Sequence, residues 1–271
     1  MLDPRLYQLL FLSLLLAYGD WFRGFEVLPS TILIVTAAAL VTQALFIWRL
    51  RLSWKGLLSA GITALSLLLL LRANHFVWLA CAAALAISSK FVLRFRNKHF
   101  FNPATFAIVV GLLTGKAWVS PAQWGEGVLM AFWFLGAGLI VVTRARSASL
   151  SVVFLATHLL LLAGRVVYLG QPRAVFGHQL ETGSLLLFTF FMISDPRSTP
   201  DHLLGKISFA ILAAVATFWI RFELYDPNAL FLALFLVSPL APWLDRVWRA
   251  PRFNWPDAPF SHRRRPRSLI T

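Results

Sequence analysis

The chain is a succession of apolar blocks separated by short polar stretches. A membrane-crossing helix needs about 20 consecutive apolar residues. Ten blocks can be marked, at roughly 6–22, 28–48, 56–72, 76–93, 103–114, 127–143, 148–170, 183–194, 206–222 and 228–247. Each predicts a helix, so the expected fold class is an all-α integral membrane protein of about ten transmembrane segments. Thr31–Trp48 and Gly127–Thr143 carry no charge at all. The first block is not expected to be a cleaved signal peptide. Asp3 stands where a basic n-region belongs, and no small-residue cleavage site precedes Trp21.

Two blocks are unusual. Pro103–Thr114 and Gly183–Ser194 hold 12 residues each, about 18 Å as a helix, against a hydrocarbon core of about 30 Å. Asn102-Pro103 opens the first and Asp195-Pro196 closes the second. Either they borrow flanking residues and span with a bend, or they are half-helices. Membranes tolerate half-helices only where protein or a cavity covers the broken backbone.

Composition agrees with the pattern. The chain has 271 residues, of which 59% are hydrophobic and 13% charged, and its mean hydropathy is +0.73. Soluble domains run near 45–50% apolar and 25% charged, as rough averages. A secreted domain, a coiled coil and a disordered chain are thereby excluded. The single cysteine, Cys81, excludes a disulfide framework and any all-cysteine metal site within the chain. No P-loop, GxGxxG, CxxC or HExxH occurs, and no metal site is expected.

The charge is lopsided, 25 Lys+Arg against 11 Asp+Glu, a formal net of +14. With ten crossings and both termini on one side, 19 of the 25 basic residues fall in the segments on that side. Basic residues collect in cytoplasmic loops. The expectation is a multi-pass protein of the bacterial inner membrane with both termini cytoplasmic and lipid as its first partner. Residues 1–249 form one membrane domain, and 250–271 form a basic Pro/Arg-rich tail near anionic headgroups. No nucleic-acid partner is expected, because topology accounts for the charge.

Three polar stretches could carry chemistry. In Lys90–Thr105, Asn102 reads as an N-cap and Pro103 as the first helical residue, after the basic or imidazole groups of Lys90, Arg94, Arg96, Lys98 and His99. This is either a capped helix behind an ordinary basic loop or a seat for an anion at a helix N-terminus. Glu126 opens the block from Gly127, either as a helix-start acid or as an ion or proton ligand. Asp195 follows the second short block, either capping a local turn or positioning a cation or cofactor. An acid there opposes the helix dipole and wants a partner, such as Arg197 or a cation of the Lys90–Lys98 loop. His158 and Arg165 share the seventh block; a bis-histidine haem finds no facing pair.

Three runs occur in order: Lys98-His99-Phe100-Phe101-Asn102-Pro103-Ala104, then Trp124-Gly125-Glu126, then Thr182-Gly183 leading to Phe190-Phe191-Met192-Ile193-Ser194-Asp195-Pro196. This order resembles the flavin-carrying membrane subunits of two related redox pumps. These are RnfD of the Rnf electron-transport complex and NqrB of the sodium-pumping NADH:quinone oxidoreductase. The motifs cover roughly residues 85–210. The opening Asp3-Pro4-Arg5 and Tyr7-Gln8 are also similar to a compact branch of that family, which includes the membrane proteins of enediyne gene clusters.

The resemblance implies two inverted five-segment halves, similar to urea and ammonium channels, and flavin-based electron transfer coupled to ion movement. One departure stands out: the Ser-Gly-Ala-Thr motif that carries covalent FMN in the pump subunits is absent. Covalent FMN is therefore not expected. Non-covalent FMN or riboflavin is the implied cofactor, with Asn102, Pro103, Thr105, Lys98 and Gly183 as candidate contacts. Glu126 and Asp195 are the candidates for ion or proton handling. Redox or biosynthetic partner proteins are implied, because the chain has no NADH-binding domain of its own. A cofactor-free transporter or channel on the same fold, and a non-catalytic membrane partner in an enediyne-type biosynthetic complex, remain alternatives.

Overall fold

The computed structural model describes residues 3–119, 147–180 and 183–253. Helices dominate. In chain order they are α1 (Pro4–Arg23), α2 (Pro29–Leu50), α3 (Gly56–Leu70), α4 (Phe76–Val92), α5 (Pro103–Leu113), α6 (Ala148–Tyr168), α7 (Arg173–Leu180), α8 (Gly183–Leu187), α9 (Leu203–Phe222), α10 (Ala229–Val237) and α11 (Ala241–Val247). A π-helical turn, Phe188–Met192, continues α8, and a 3₁₀ turn, Ser238–Leu240, joins α10 to α11. Among the described residues, Pro29–Leu50, Ala148–Tyr168, Leu203–Phe222 and the combined Ala229–Val247 are long and apolar enough to cross a membrane, and α3, α4 and α5 are shorter apolar helices. The expected block at 127–143 and most of the basic tail lie outside the described residues. Nothing in the apolar pattern marks the short α7.

The termini of these helices follow from local chemistry. α1 starts at Pro4 behind Asp3, whose carboxylate accepts from the Arg5 N–H, and ends at Gly24 in the left-handed region (φ 63°), the usual glycine stop. α2 and α5 also begin with proline, whose missing N–H costs nothing at the first helical position. Among the described residues the core is one large cluster, in which small side chains such as Ala60, Ala64, Ala83, Ala86, Ala107 and Ala213 are fully buried, beside a small one of Ile220, Ala229 and Ala233. Small residues let helix backbones approach closely where lipid supplies no hydrophobic drive between helices. α2 packs on α3 and α4, and α9 on α6 and α10. Their outer faces carry exposed Leu33, Val41 and Leu45, Val152 and Leu160, and Ile211 and Val215; such apolar surface is at home in lipid.

Two short antiparallel pairs sit at opposite ends of the bundle. At one end, β1 (Leu71–Ala73), which follows α3, pairs with β4 (Ala117–Val119), which follows α5, in the register Leu71 to Val119. At the other end, β2 (Arg94–Phe95) and β3 (Lys98–His99) form the link between α4 and α5. That second end gathers the starts of α1, α3, α5 and α9. Arg5 Nη1 donates to the Lys55 carbonyl at 3.1 Å. Lys98 Nζ donates to Asp201 Oδ2 and Asp245 Oδ2, both at 2.8 Å, and the Phe253 N–H donates to Asp201 Oδ1. The two described ends of the chain therefore lie at the same end of the bundle.

The α1 exit is tight. A Cβ on Gly19 would stand 2.5 Å from the ring of buried Phe25. Gly19→Ala should destabilise the protein by about 1–3 kcal/mol, read as a lower thermal midpoint in detergent. A midpoint equal to that of the unsubstituted protein would show that the Phe25 ring gives way freely.

Candidate functional site

Asn102 holds the two broken segments together. Its backbone is extended (φ −64°, ψ 125°), as an N-cap requires. Its Oδ1 accepts from the Thr105 N–H at 3.1 Å and from Thr105 Oγ1 at 3.3 Å. Its Nδ2 donates to the Met192 carbonyl at 3.2 Å, across 90 residues of sequence. The side chain thus caps the start of α5 and binds the end of the π turn at once.

The π turn shifts its own hydrogen bonds. The Ile193 N–H donates to the Phe188 carbonyl at 3.0 Å, five residues back, so it does not serve the Thr189 carbonyl. Ser151 Oγ on α6 donates to that carbonyl instead, at 2.7 Å. Such insertions concentrate at functional sites, and every backbone group they release in a membrane must find a partner. Asp195 then makes a tight turn, with Oδ1 accepting from the Arg197 N–H at 3.1 Å and its carbonyl accepting from Thr199 Oγ1 at 2.9 Å.

A cavity of about 380 Å³ opens where these breaks meet. Polar side chains enter it from Gln43 on α2, Thr63 and Ser66 on α3, Lys90 on α4, Asn102, and Asp195. Lys90 is 5% exposed, and its Nζ donates to Ser59 Oγ at 3.1 Å and Gln43 Oε1 at 3.4 Å. Exposed Arg94 and Arg197 stand at the mouth. His99 is buried, with Nε2 at 3.9 Å from Asp195 Oδ2.

Burial pushes His99 below its ordinary value of 6.5; Asp195 opposes that shift, and Arg197 and Lys90 add to it. Burial alone would raise Asp195, yet the His99 ring, the Arg197 N–H and the Arg197 charge together hold it below its ordinary 3.8. At neutral pH the pair is therefore an uncharged imidazole beside a carboxylate.

The residues anticipated from sequence divide. Asn102, Pro103 and Asp195 line the cavity, and Thr105 stands directly behind Asn102. Lys98 does not line it; both of its close contacts are carboxylates on the far side of the hairpin. Gly183 begins α8, at the opposite end of its segment from Asp195. Glu126 lies outside the described residues. Arg5, Gln43, Lys55 and Ser59 also line the cavity and were not anticipated. Gln43 carried a signal, being the only amide in the charge-free run Thr31–Trp48.

Apolar spans and an interrupted helix pair define a multi-pass helical membrane protein with an internal polar cavity. The chain belongs to the NQR2, RnfD, RnfE family, whose model matches residues 112–254. Of the cavity wall, only the Phe191–Arg197 side falls inside that match. The chain is similar to the RnfD-type subunits of ion-translocating oxidoreductase complexes. One from Stutzerimonas stutzeri is 37% identical over 70 residues, 26% of this chain and 20% of that protein. One from Halorhodospira halophila is 32% identical over 129 residues, 47% of this chain and 35% of that protein. One from Salmonella enteritidis is 30% identical over 148 residues, 53% of this chain and 39% of that protein. The chain thus spans between a fifth and two fifths of the length of these relatives.

Two outcomes follow from the geometry. Asn102→Ala removes a cap and a buried inter-segment hydrogen bond, and should cost about 2 kcal/mol, seen as a lower thermal midpoint. His99 takes up its proton at lower pH in the folded chain than in the unfolded one. The unfolded state therefore binds more protons below pH 6.5, and folded stability is lost as pH falls from there. The midpoint should drop as the pH is lowered below 6.5, and by less in His99→Gln; equal drops in both proteins would assign the effect elsewhere.

Proposed function

We propose that the protein is a membrane-embedded electron-transport subunit of the RnfD type, coupled to ion translocation and working with redox partner proteins in the bacterial inner membrane. In this reading it crosses the membrane about ten times in two inverted halves, with both termini and the cavity mouth cytoplasmic. The observation that carries it is the junction of the two helix breaks at a polar cavity, in a chain of this family. The relatives' description as subunits of an ion-translocating oxidoreductase complex supports it.

The donor set suits a non-covalently held FMN or riboflavin. Lys90 and Asn102 offer hydrogen bonds, Phe91 and Phe191 offer apolar surface, and the volume is of small-ligand size. A flavin bound there would supply one- and two-electron redox chemistry. This chain's own contribution is to hold and orient it at the α5 N-terminus. Asp195, ionised at neutral pH, keeps a fixed negative charge beside the site, where an arriving proton or cation is stabilised. Glu126 is the second proposed ion or proton ligand.

The test is the visible absorbance spectrum of detergent-purified protein, with analysis of flavin released on denaturation. About one flavin per chain, released without proteolysis, is the expected result. No flavin at any stoichiometry, with partner proteins co-expressed, would overturn the redox reading. A cofactor-free transporter is the second reading, favoured by the hydroxyls of Thr63 and Ser66 that carry the cavity lining into α3. Ion flux in proteoliposomes that Asp195→Asn abolishes, from flavin-free protein, would select it.

A further inference from the structure

The cations at this end of the bundle fall into two groups. Arg5 is bound to Asp3, and Lys98 to Asp201 and Asp245. Lys90, Arg94 and Arg197 make no ion pair with any acid among the described residues. All three line the same cavity. They are close enough to act on one another: Arg197 and Lys90 both act on His99, and Arg197 acts on Arg94. The one acid among the described residues that line the cavity, Asp195, is engaged by the Arg197 N–H and faces His99.

Lys90 is the strongest sign. An ammonium has three donors and no acceptor. This one is buried and meets two neutral oxygens, with Gln43 and Ser59 as its partners. The acid whose charge reaches it is Asp195, which Arg197 shares; a buried cation with so little compensation is costly, so its position invites a further anion. The mouth completes the arrangement. Arg94 lies over the Phe91 ring at 5.2 Å and commits Nε to the Lys90 carbonyl at 2.6 Å. That leaves its two terminal nitrogens, the paired donors that grip phosphate oxygens. The N-terminus of α5, with Ala104 in the cavity wall, adds the positive end of a helix.

We propose that the cavity is a phosphate-binding site, with Lys90 at its floor and Arg94 and Arg197 at its mouth. The site rests on three cations around one cavity, Lys90, Arg94 and Arg197, that outnumber its one described acid, Asp195, and does not require a flavin. The phosphate can be inorganic, the monoester end of a nucleotide-like ligand such as FMN, or an anionic phospholipid headgroup reaching in from the surrounding bilayer.

The test uses the full-length protein in detergent and in nanodiscs, with thermal-shift and calorimetric titrations at constant ionic strength. The probes are inorganic phosphate, FMN, riboflavin and phosphatidylglycerol, with chloride as the reference. Saturable stabilisation by a phosphate-bearing probe, weakened at least about tenfold in Arg94→Gln and in Arg197→Gln, is expected. Both side chains are exposed, so those variants fold; Lys90→Met, which replaces a buried residue, is read alongside them. A response to inorganic phosphate identifies the free ion as sufficient. A response to FMN without one to riboflavin identifies the monoester, and a response to phosphatidylglycerol alone identifies the lipid. Riboflavin binding with full affinity in both arginine variants, and no response to any phosphate probe, would overturn the phosphate site while leaving the flavin reading intact. Phosphate binding by protein that takes up neither FMN nor riboflavin would do the reverse.

Discussion

A chain that breaks its helices inside a membrane must find a partner for every backbone group it releases, and Asn102 is where this protein does so. One side chain caps α5 and donates to the Met192 carbonyl at the end of the π turn. The neighbouring carbonyls are met in the same way. Ser151 serves Thr189, Thr189 Oγ1 serves the Leu185 carbonyl, and Ser194 Oγ serves Phe190. Because two of these bonds cross from one segment to another, the breaks are fixed in relation to each other. The cavity between them is consequently a formed feature of the fold.

The same end of the molecule shows two ways of handling positive charge. Lys98 is neutralised by two carboxylates brought from the loop before α9 and from α11, which fastens the β2–β3 hairpin to the C-terminal helices. Lys90, eight residues earlier, is surrounded by neutral oxygens. The first arrangement is a fastening and the second leaves charge available. The difference lies in which acids the fold brings near, and the identical residue type gives no hint of it.

That contrast explains what was legible in the sequence. The described helices begin and end close to the apolar blocks, because block length and Pro, Asn and Asp at the boundaries are local signals. Asn102-Pro103 and Asp195-Pro196 marked both breaks in the sequence, but their meeting depends on a hydrogen bond across 90 residues. Lys98 stands apart from the cavity beside Asn102 because its partners lie 103 and 147 residues further along the chain. Gln43 and Ser59 were passed over because a single polar residue in an apolar helix looks tolerable until Lys90 is found beside it. The π turn has no glycine or proline to mark it, being Phe-Thr-Phe-Phe-Met, and the partner for its released carbonyl, Ser151, lies on another helix.

The brevity of α5 has an electrical consequence. Its 11 residues measure about 17 Å, and β4, which follows, is tied down beside it by β1. In a bilayer with a core of about 30 Å, the insulating layer between the polar cavity and the opposite face is thus little more than half the usual thickness here. A membrane voltage falls mainly across the region of lowest polarisability. The field along α5 would then be nearly twice that in the surrounding lipid, and a charge moving between the cavity and the β1–β4 end would sense most of the potential over a short path.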